Sequence, residues 1–397
     1  MAPARVFEGK LAIVTGASRS FGAAVATHLA SRGANVVINY ATSSSDQAAA
    51  DLASHLSKTY NITALPVRAD LLDGSAPAAL VEAAKAHFTN ASASPPFQID
   101  IIINNAAIVN AQPIQDLDVA LWDQTFNLNC KAPALLIKAA FPYLPHDRSG
   151  RIVNISSATT TWGLIQQTSY AGTKGAIEAM TRVWARELAE RCTVNSVSPG
   201  PMDTGLLNGL PEAPKEALKM YNALIPLARE RPGVDTEDML KLAGEIGGRP
   251  GTLEEVAGIV GIACLPESGW MTGNQLGASG GGNEIDPGLR LFAALSLAFN
   301  VCSFISISLP NEPQKAAQDI HLSWLDAGFL PNWIESHESQ SWMEHQQLQN
   351  QMGYQESRLA VSVRANGGDE GGANEIFALP DLEMAEETRS LLRQWKM

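Results

Sequence analysis

Three residues between positions 157 and 174 have the types and spacing for proton transfer. Tyr170 and Lys174 are four residues apart, so on a helix they share one face. An ammonium beside a phenol lowers the tyrosine's pKa from about 10 toward working pH, which makes Tyr170 a candidate general acid or base. Ser157 follows an apolar run at 151–155 (RIVNI), a predicted buried strand, and its hydroxyl can bond the oxygen that Tyr170 protonates. A chance surface YxxxK is the alternative.

A glycine-containing turn near the start of the chain lies between a predicted strand and a predicted helix. The strand covers residues 10–14 (KLAIV), and the turn reads TGASRSFG over residues 15–22. This order aims backbone N–H groups and a helix N-terminus at a pyrophosphate. The sequence therefore predicts a dinucleotide site, with contacts from Gly16, Ser18, Arg19, Ser20, Phe21 and Gly22.

The second predicted strand, residues 35–39, lacks the terminal acid that bonds the ribose 2′-hydroxyl of an unphosphorylated dinucleotide. No Asp or Glu follows until Asp46. Arg19 can pair with a 2′-phosphate, and nearby hydroxyl groups can bond it. This pattern favours the phosphorylated cofactor, NADP(H), and a solvated Arg19 is the alternative. The contacts expected here are Asn39, Tyr40, Thr42 and Ser43.

Polar or small residues also follow the third and fourth predicted strands. Asp70 and Leu71 come after residues 63–68, where a side chain can touch an adenine ring; an N-cap for the next helix is the alternative, and both can hold. The run NNAA at 104–107 closes the apolar strand at 99–103 and suits close approach of a ligand. Asn129 lies mid-helix, where asparagine is poorly favoured, so a tertiary role or a buried structural amide is expected.

Strand and helix alternate throughout residues 10–281. This alternation predicts an α/β fold with a doubly wound, Rossmann-type parallel sheet, in a single catalytic domain over residues 1–282. Residues 202–249 are irregular and helix-forming in patches, which is typical of a lid over a substrate.

Taken together, these motifs resemble the short-chain dehydrogenase/reductase family over about residues 8–282, and within it the NADPH-dependent ketoreductases of the 3-oxoacyl reductase-like group. The motifs TGASRSFG, NNAA, YxxxK and PGPMDT (199–204) occur in the family's order. Two positions depart from the pattern, since Ser20 and Ala107 replace glycines. A positive φ at Ser20 would cost on the order of 1 kcal/mol.

The resemblance implies roles for four catalytic residues. Tyr170 exchanges the substrate's hydroxyl proton, and Ser157 orients the carbonyl oxygen. Lys174 lowers the tyrosine's pKa and bonds the nicotinamide ribose, while Asn129 holds a water in a proton relay. The cofactor contacts that it implies are Asp70, Leu71, Asn105, Ala106, Tyr170, Lys174, Pro199, Gly200 and Thr204. Assembly as a homotetramer or homodimer is also implied.

The amino-acid composition of the chain limits the kinds of partner and metal site that we expect. The net charge of −13 argues against nucleic acid and against an anionic membrane surface. The four cysteines form no CxxC motif, so we expect buried thiols and no metal site. The N-terminal ten residues contain no apolar signal core, which indicates a cytoplasmic protein.

Residues 283–397 extend beyond the region of resemblance. The stretch 291–309 is apolar and free of charge, near the length of about 20 residues that a membrane helix needs. A membrane segment, a helix docked on the core and sequence that does not fold with the enzyme all remain open. We favour a poorly ordered extension without a catalytic role.

The leading functional hypothesis is an NADPH-dependent, reversible reductase of a ketone or aldehyde. Leu, Met and Ala in residues 202–249 predict a moderately apolar substrate, such as a polyketide-like or aromatic carbonyl compound. An acyl-thioester reductase and a sugar or alcohol dehydrogenase are the alternatives within the enzymes. A non-catalytic dinucleotide sensor or scaffold is the alternative from another class.

Overall fold

Short apolar runs alternate with helical segments along the chain, and each run forms one strand of a parallel sheet. The strands are β1 (Leu11–Val14), β2 (Asn35–Tyr40), β3 (Ala64–Arg68), β4 (Ile101–Asn104), β5 (Gly150–Ile155), β6 (Cys192–Pro199) and β7 (Gln275–Ala278). Their order across the sheet is β3-β2-β1-β4-β5-β6-β7, and all neighbours are parallel. The doubly wound parallel sheet predicted from the sequence is confirmed.

The computed structural model describes residues 4–89 and 97–282, which lie in a compact unit spanning residues 1–285. The predicted extension 283–397, with its apolar stretch 291–309, lies outside the described residues. Within residues 4–89 and 97–282, no helix has the length and apolar character needed to cross a membrane.

Helices cover both faces of the sheet. They are α1 (Ser20–Ser31), α2 (Asp46–Tyr60), α3 (Ala76–Phe88), α4 (Val119–Phe126), α5 (Ala132–Ala140), α6 (Thr159–Trp162), α7 (Thr168–Glu187), α8 (Gly205–Asn208), α9 (Glu212–Asn222), α10 (Glu237–Ile246) and α11 (Leu253–Cys264). On one face Val25 and Leu29 of α1 pack with Val260 of α11, and on the other Leu80 of α3 packs with Leu136 of α5. The sheet's central residues are therefore buried on both sides.

The strand order reverses between β1 and β4, and this switch point sets the position of the site. The chain runs outward from β1 to β3 and then returns to place β4 on the other side of β1. The loops after β1 and β4 therefore diverge and leave a crevice at the carboxyl ends of the strands, where ligands bind in open α/β sheets. Between β6 and α11, helices α8, α9 and α10 confirm the helix-forming patches predicted in residues 202–249.

His28 on α1 packs tightly against α11. A Cβ atom added at Gly261 would lie 2.1 Å from His28 Nε2, so only glycine leaves room for the ring. Burial, assisted by the nearby charge of Arg32, lowers the pKa of His28 to about 4. Nε2 is buried and has no hydrogen-bond partner among residues 4–89 and 97–282. The neutral imidazole is thus the form that fits the α1–α11 contact.

This buried histidine predicts a loss of stability in acid. The unfolded chain takes up the proton near pH 6.5, whereas the folded chain does so only near pH 4. Between these values the unfolded state binds more protons, so the free energy of unfolding falls as the pH is lowered. When the pH is lowered from about 7 to about 5, we expect the melting temperature of His28→Leu to fall less than that of the wild type. Exposed His146 gives the control, His146→Leu; equal losses in His28→Leu and wild type would contradict the prediction.

Candidate active site

A cavity of about 660 Å³ lies at the carboxyl ends of the strands. It brings together nearly all of the residues that the sequence predicts for cofactor binding and catalysis. Those that line it are Gly16, Ser18, Arg19, Ser20, Phe21, Gly22, Asn39, Tyr40, Thr42, Asp70, Leu71, Asn105, Ala106, Ser157, Tyr170, Lys174, Pro199, Gly200 and Thr204. Two predicted residues, Ser43 and Asn129, do not line it.

The turn after β1 is tied to the end of β4. Asn105 Nδ2 donates to the backbone oxygens of Thr15 (2.8 Å) and Gly16 (3.2 Å). A Cβ atom at Gly22 would lie 2.3 Å from the Gly16 oxygen, so a side chain there would push the turn apart. Ser20 has φ 52°, which confirms the positive φ considered from the sequence. The turn is thus held against β4, with its backbone facing the cavity.

Asn39 lines the cavity, but its side-chain amide bonds to the protein's own backbone. Oδ1 accepts from Gly16 N at 3.3 Å, and Nδ2 donates to Ala69 O at 3.0 Å. With 1% of its surface exposed, Asn39 joins the ends of β2 and β3 to the glycine turn. Its side chain therefore supports the predicted site by fixing the backbone of the glycine turn.

In the region expected to meet a 2′-phosphate, one more hydroxyl lines the cavity than the sequence suggests. Ser43 begins a short 3-10 helix (Ser43–Ser45) and is not among the lining residues, whereas Ser45, which sequence reasoning missed, lines the cavity. Arg19 is exposed at the rim, and no carboxylate lies within ion-pair distance of it in the described part of the chain. The first acid after β2, Asp46, pairs with Arg68 at 3.2 Å. This side of the cavity therefore offers a cation whose charge is not balanced by a carboxylate.

Asp70 does not cap the next helix. Its carboxylate accepts from Leu72 N at 3.1 Å, within the turn after β3. The N-cap of α3 is Ser75, so the helix-cap alternative for Asp70 is wrong. Asp70 instead lines the cavity beside Leu71.

Helix α7 presents Tyr170 and Lys174 to the cavity, with Ser157 facing them from the loop after β5. Lys174 is 4% exposed, and its Nζ donates to Ile155 O at 2.7 Å and lies 5.5 Å from the centroid of the Tyr170 ring. Ser157 Oγ accepts from the Thr159 hydroxyl at 3.0 Å, which leaves its own hydrogen to donate. The Ser157 hydroxyl lies close enough to Tyr170 to favour a lower pKa of the tyrosine. The three side chains expected to exchange a proton therefore meet.

Burial has the largest effect on the pKa values of Tyr170 and Lys174. It raises the pKa of Tyr170 to about 12, against the opposing effect of the Ser157 hydrogen bond. It also lowers the pKa of Lys174 to about 8. The predicted lowering of the Tyr170 pKa is therefore not found, because both groups are removed from water and burial disfavours the charged form of each. A tyrosine that keeps its proton near neutral pH is suited to donate it as a general acid.

Asn129 lies in a π-helical turn (Asn127–Lys131) between α4 and α5. Its Oδ1 accepts from Ile108 N, and its Nδ2 donates to Ile108 O, both at 3.0 Å. Nδ2 also donates to the Thr173 hydroxyl on α7 at 3.1 Å. The amide thus joins a cavity-lining segment to the catalytic helix, which supplies the expected tertiary reason for an asparagine here. Its relay role stays a prediction.

Glu178, which sequence reasoning missed, continues the face of α7 that carries Tyr170 and Lys174. Its Oε1 accepts from Ser156 Oγ, from Gln275 Nε2 (2.8 Å) and from Thr160 Oγ1 (3.2 Å). Ser198 Oγ adds a longer contact at 3.4 Å. One carboxylate therefore holds together the ends of β5, β6 and β7 and the short helix α6. The spacing of four from Lys174 could have identified it.

Two variants of Glu178 distinguish the effect of its charge from the effect of its hydrogen bonds. Glu178→Leu leaves several donors unpaired at about 1–3 kcal/mol each, so we expect a lower melting temperature and lower kcat. Glu178→Gln keeps an acceptor and is expected to restore both the melting temperature and kcat.

The pH profile reports the charge of Glu178. Because the Glu178 charge raises the Lys174 pKa, the loss of this charge in Glu178→Gln lowers that pKa below about 8 and moves the alkaline limb of kcat/KM to lower pH. An unshifted limb would contradict this, and Glu187→Gln on the exposed end of α7 is the control.

The side of the cavity beyond Tyr170 is mostly apolar, as the leucines of residues 202–249 suggest, and it also contains Trp162 and Leu164, which the sequence analysis did not single out. The Trp162 ring stacks on Tyr221 of α9 with centroids 5.4 Å apart and planes at 3°. Trp162 Nε1 donates to Gly282 O at 3.1 Å, which satisfies its polar atom. The remaining residues of this wall include Leu164, Gln167, Leu207, Leu210 and Leu218.

Comparison with known proteins gives consistent matches. The family model "short chain dehydrogenase" matches residues 10–215. L-xylo-3-hexulose reductase of Hypocrea jecorina is 44% identical over 299 residues, which cover 70% of this chain and 98% of that protein. L-xylulose reductase of Aspergillus niger is 40% identical over 294 residues, with the same coverage of 70% and 98%.

Solved structures show the same likeness. The angucycline C-6 ketoreductase LanV with bound NADP is 28% identical, with a TM-score of 0.58 over 70% of this chain and 97% of that one. A blue fluorescent protein from a metagenomic library, in complex with NADPH, is 31% identical, with a TM-score of 0.57 over 69% and 98%. The chain therefore belongs to the short-chain dehydrogenase/reductase family, the oxidoreductases that its motifs resemble.

Proposed function

We propose that this chain uses NADPH to reduce a ketone to a secondary alcohol, in a reversible reaction. The observation that carries the proposal is the meeting of Ser157, Tyr170 and Lys174 at the inner end of a cavity whose outer end carries Arg19. The fit to a dinucleotide is supported by Gly22, where any side chain would fill the space of the turn. The relatives whose names describe them as reductases support reduction, and not oxidation, as the direction of the reaction.

The cofactor side of the cavity fits NADP(H). The backbone of residues 16–22 would hold the pyrophosphate at the N-terminus of α1, and Asp70 and Leu71 would flank the adenine. Arg19, with Thr42 and Ser45, would bind a 2′-phosphate. Bound NADPH supplies a hydride, and two of the solved relatives named above contain NADP or NADPH.

The catalytic residues would supply the proton and polarise the carbonyl. The hydroxyl groups of Ser157 and Tyr170 would both donate to the ketone oxygen and favour the negative charge that develops there. Tyr170, whose pKa of about 12 keeps it protonated, then transfers its proton to that oxygen. Lys174, charged below its pKa of about 8, stabilises the resulting phenolate and would bond the nicotinamide ribose. We expect the enzyme to assemble as a homodimer or homotetramer.

Titration and turnover with the full-length protein test this proposal. We expect NADPH to bind more tightly than NADH in a nicotinamide fluorescence titration, and a ketone such as L-xylulose to consume NADPH. Tight NADPH binding without turnover of any ketone would instead favour the dinucleotide-sensor alternative. Equal binding of the two cofactors would contradict the assignment of Arg19.

A further inference from the structure

Several residues beside Ser157 carry hydroxyl groups, and one of them is directed at the Ser157 hydroxyl itself. Ser156 is 2% exposed, and its Oγ donates to Glu178. The Thr160 hydroxyl donates to the backbone oxygen of Ser157 at 3.0 Å. Thr159, the first residue of α6, lines the cavity, and its Oγ1 donates to Ser157 Oγ at 3.0 Å. Thr159 is therefore placed to act on the proposed catalytic serine.

Two hydrogen bonds from Thr159 occupy the acceptor side of the Ser157 hydroxyl. The backbone N–H of Thr159 donates to Ser157 Oγ at 3.3 Å, in addition to the side-chain bond at 3.0 Å. A hydroxyl has one hydrogen to donate and two lone pairs that accept. Since Thr159 occupies both lone pairs, Ser157 can act toward the cavity only as a hydrogen-bond donor.

The same arrangement keeps the proton of Tyr170 available for the substrate. If Ser157 Oγ had an open lone pair, the Tyr170 hydroxyl would have an acceptor on the protein and would direct its proton there instead of at the ketone. The effect of Ser157 on Tyr170 agrees with the opposite polarity. Ser157 favours a lower pKa of Tyr170, as a hydrogen bond donated to the phenolate does.

A hydroxyl that accepts hydrogen bonds is also a stronger donor. Chains of hydrogen bonds polarise one another, by about 10–30% per bond. In the proposed reduction, negative charge develops on the ketone oxygen, so a donor aimed at that oxygen binds the transition state more strongly than the substrate. The contribution of Thr159 is therefore expected in kcat more than in KM.

We propose that Thr159 is a positioning residue for ketone reduction, which fixes the Ser157 hydroxyl as a hydrogen-bond donor to the ketone oxygen. This inference rests on the proposed function and adds a residue to it. One neutral hydrogen bond corresponds to about 2- to 10-fold in rate. Because Thr159 acts through Ser157, this factor is expected to disappear when Ser157 has no hydroxyl.

A double-mutant cycle on the full-length protein tests the proposal. Thr159→Val keeps the shape of the side chain and the backbone N–H but removes the hydroxyl. With NADPH and L-xylulose, we expect Thr159→Val to lower kcat by about 2- to 10-fold with little change in KM, and Thr159→Ser to restore kcat. In a Ser157→Ala background, Thr159→Val should have no further effect on kcat, which single-turnover kinetics can measure in slow variants.

A control and a second variant separate this role from an effect on folding. Thr161→Val removes an exposed hydroxyl on the same short helix, outside the cavity, and should leave kcat unchanged. Thr159→Ala repeats the cycle without a β-branched side chain. Melting temperatures of all variants show that each one is folded under the conditions of the assay.

Three results would overturn the proposal and leave the proposed ketone reduction standing. Unchanged kcat in both Thr159→Val and Thr159→Ala would show that Ser157 needs no orienting partner. An equal loss of kcat in the wild-type and Ser157→Ala backgrounds would show that Thr159 acts independently of Ser157. A raised KM at constant kcat would show that Thr159 contacts the substrate itself. No turnover of L-xylulose or any other ketone by the wild type would overturn the proposed function, and this inference with it.

Discussion

Tyr170→Phe is expected to lower kcat for ketone reduction by about 100- to 10,000-fold, the usual contribution of general acid catalysis. The variant keeps the ring that packs beside Lys174 but loses the hydroxyl that donates the proton. NADPH binding should be retained for the most part, because most of the proposed nucleotide contacts lie on residues 16–22 and around Asp70. Single-turnover kinetics and fluorescence titration separate the two effects.

A matched control tests whether the loss of any tyrosine hydroxyl has the same effect on kcat. Tyr60→Phe changes the last residue of α2, outside the cavity, and should leave kcat unchanged. Full turnover in Tyr170→Phe would show that another group protonates the carbonyl oxygen. Loss of turnover together with loss of NADPH binding would show that the Tyr170 hydroxyl acts by holding the cofactor, and not by proton transfer.

Arg19→Ala is expected to weaken NADPH binding by about 10- to 100-fold, the value of one charge-assisted hydrogen-bonding group on a phosphate. NADH lacks the 2′-phosphate, so its dissociation constant should stay the same. The difference between the two cofactors should also shrink as salt rises, because Arg19 is exposed and its charge is screened.

Arg182→Ala on exposed α7 removes a positive charge at a distance from the cavity and serves as the control. It should leave the binding of both cofactors unchanged. An equal weakening of NADPH and NADH by Arg19→Ala would show that Arg19 contacts the pyrophosphate or the turn, and not a 2′-phosphate.

The sheet and most of the cavity could be predicted because their signals are local. The central strands β1 and β4 are short apolar runs, and Gly16 and Gly22 mark the tight turn that follows β1. Since ligands bind at the carboxyl ends of parallel strands, residues such as Asn105 and Gly200 follow directly from the strand assignments. Long-range structure was not needed for these predictions.

The features that the sequence did not reveal depend on three-dimensional packing. Ser45 lines the cavity because of its position in one short 3-10 helix, which the run of serines does not show. The Tyr170 pKa depends on burial, which is a property of the folded chain, and burial outweighs the spacing to Lys174. Glu178 stands four residues from Lys174, but its hydrogen-bond partners, like those of Thr159, become visible only in the fold.

Transfer of deuterium from NADPH labelled at C4 of the nicotinamide is the most direct test of ketone reduction by this chain. Each of the two C4-labelled forms of NADPH would be incubated with L-xylulose and the full-length protein, and the product analysed by mass spectrometry and NMR. We predict that one form transfers its deuterium to the new carbinol carbon, and that Tyr170→Phe slows this transfer by about 100- to 10,000-fold. Product without deuterium from either form, or tight NADPH binding with no product, would contradict the account.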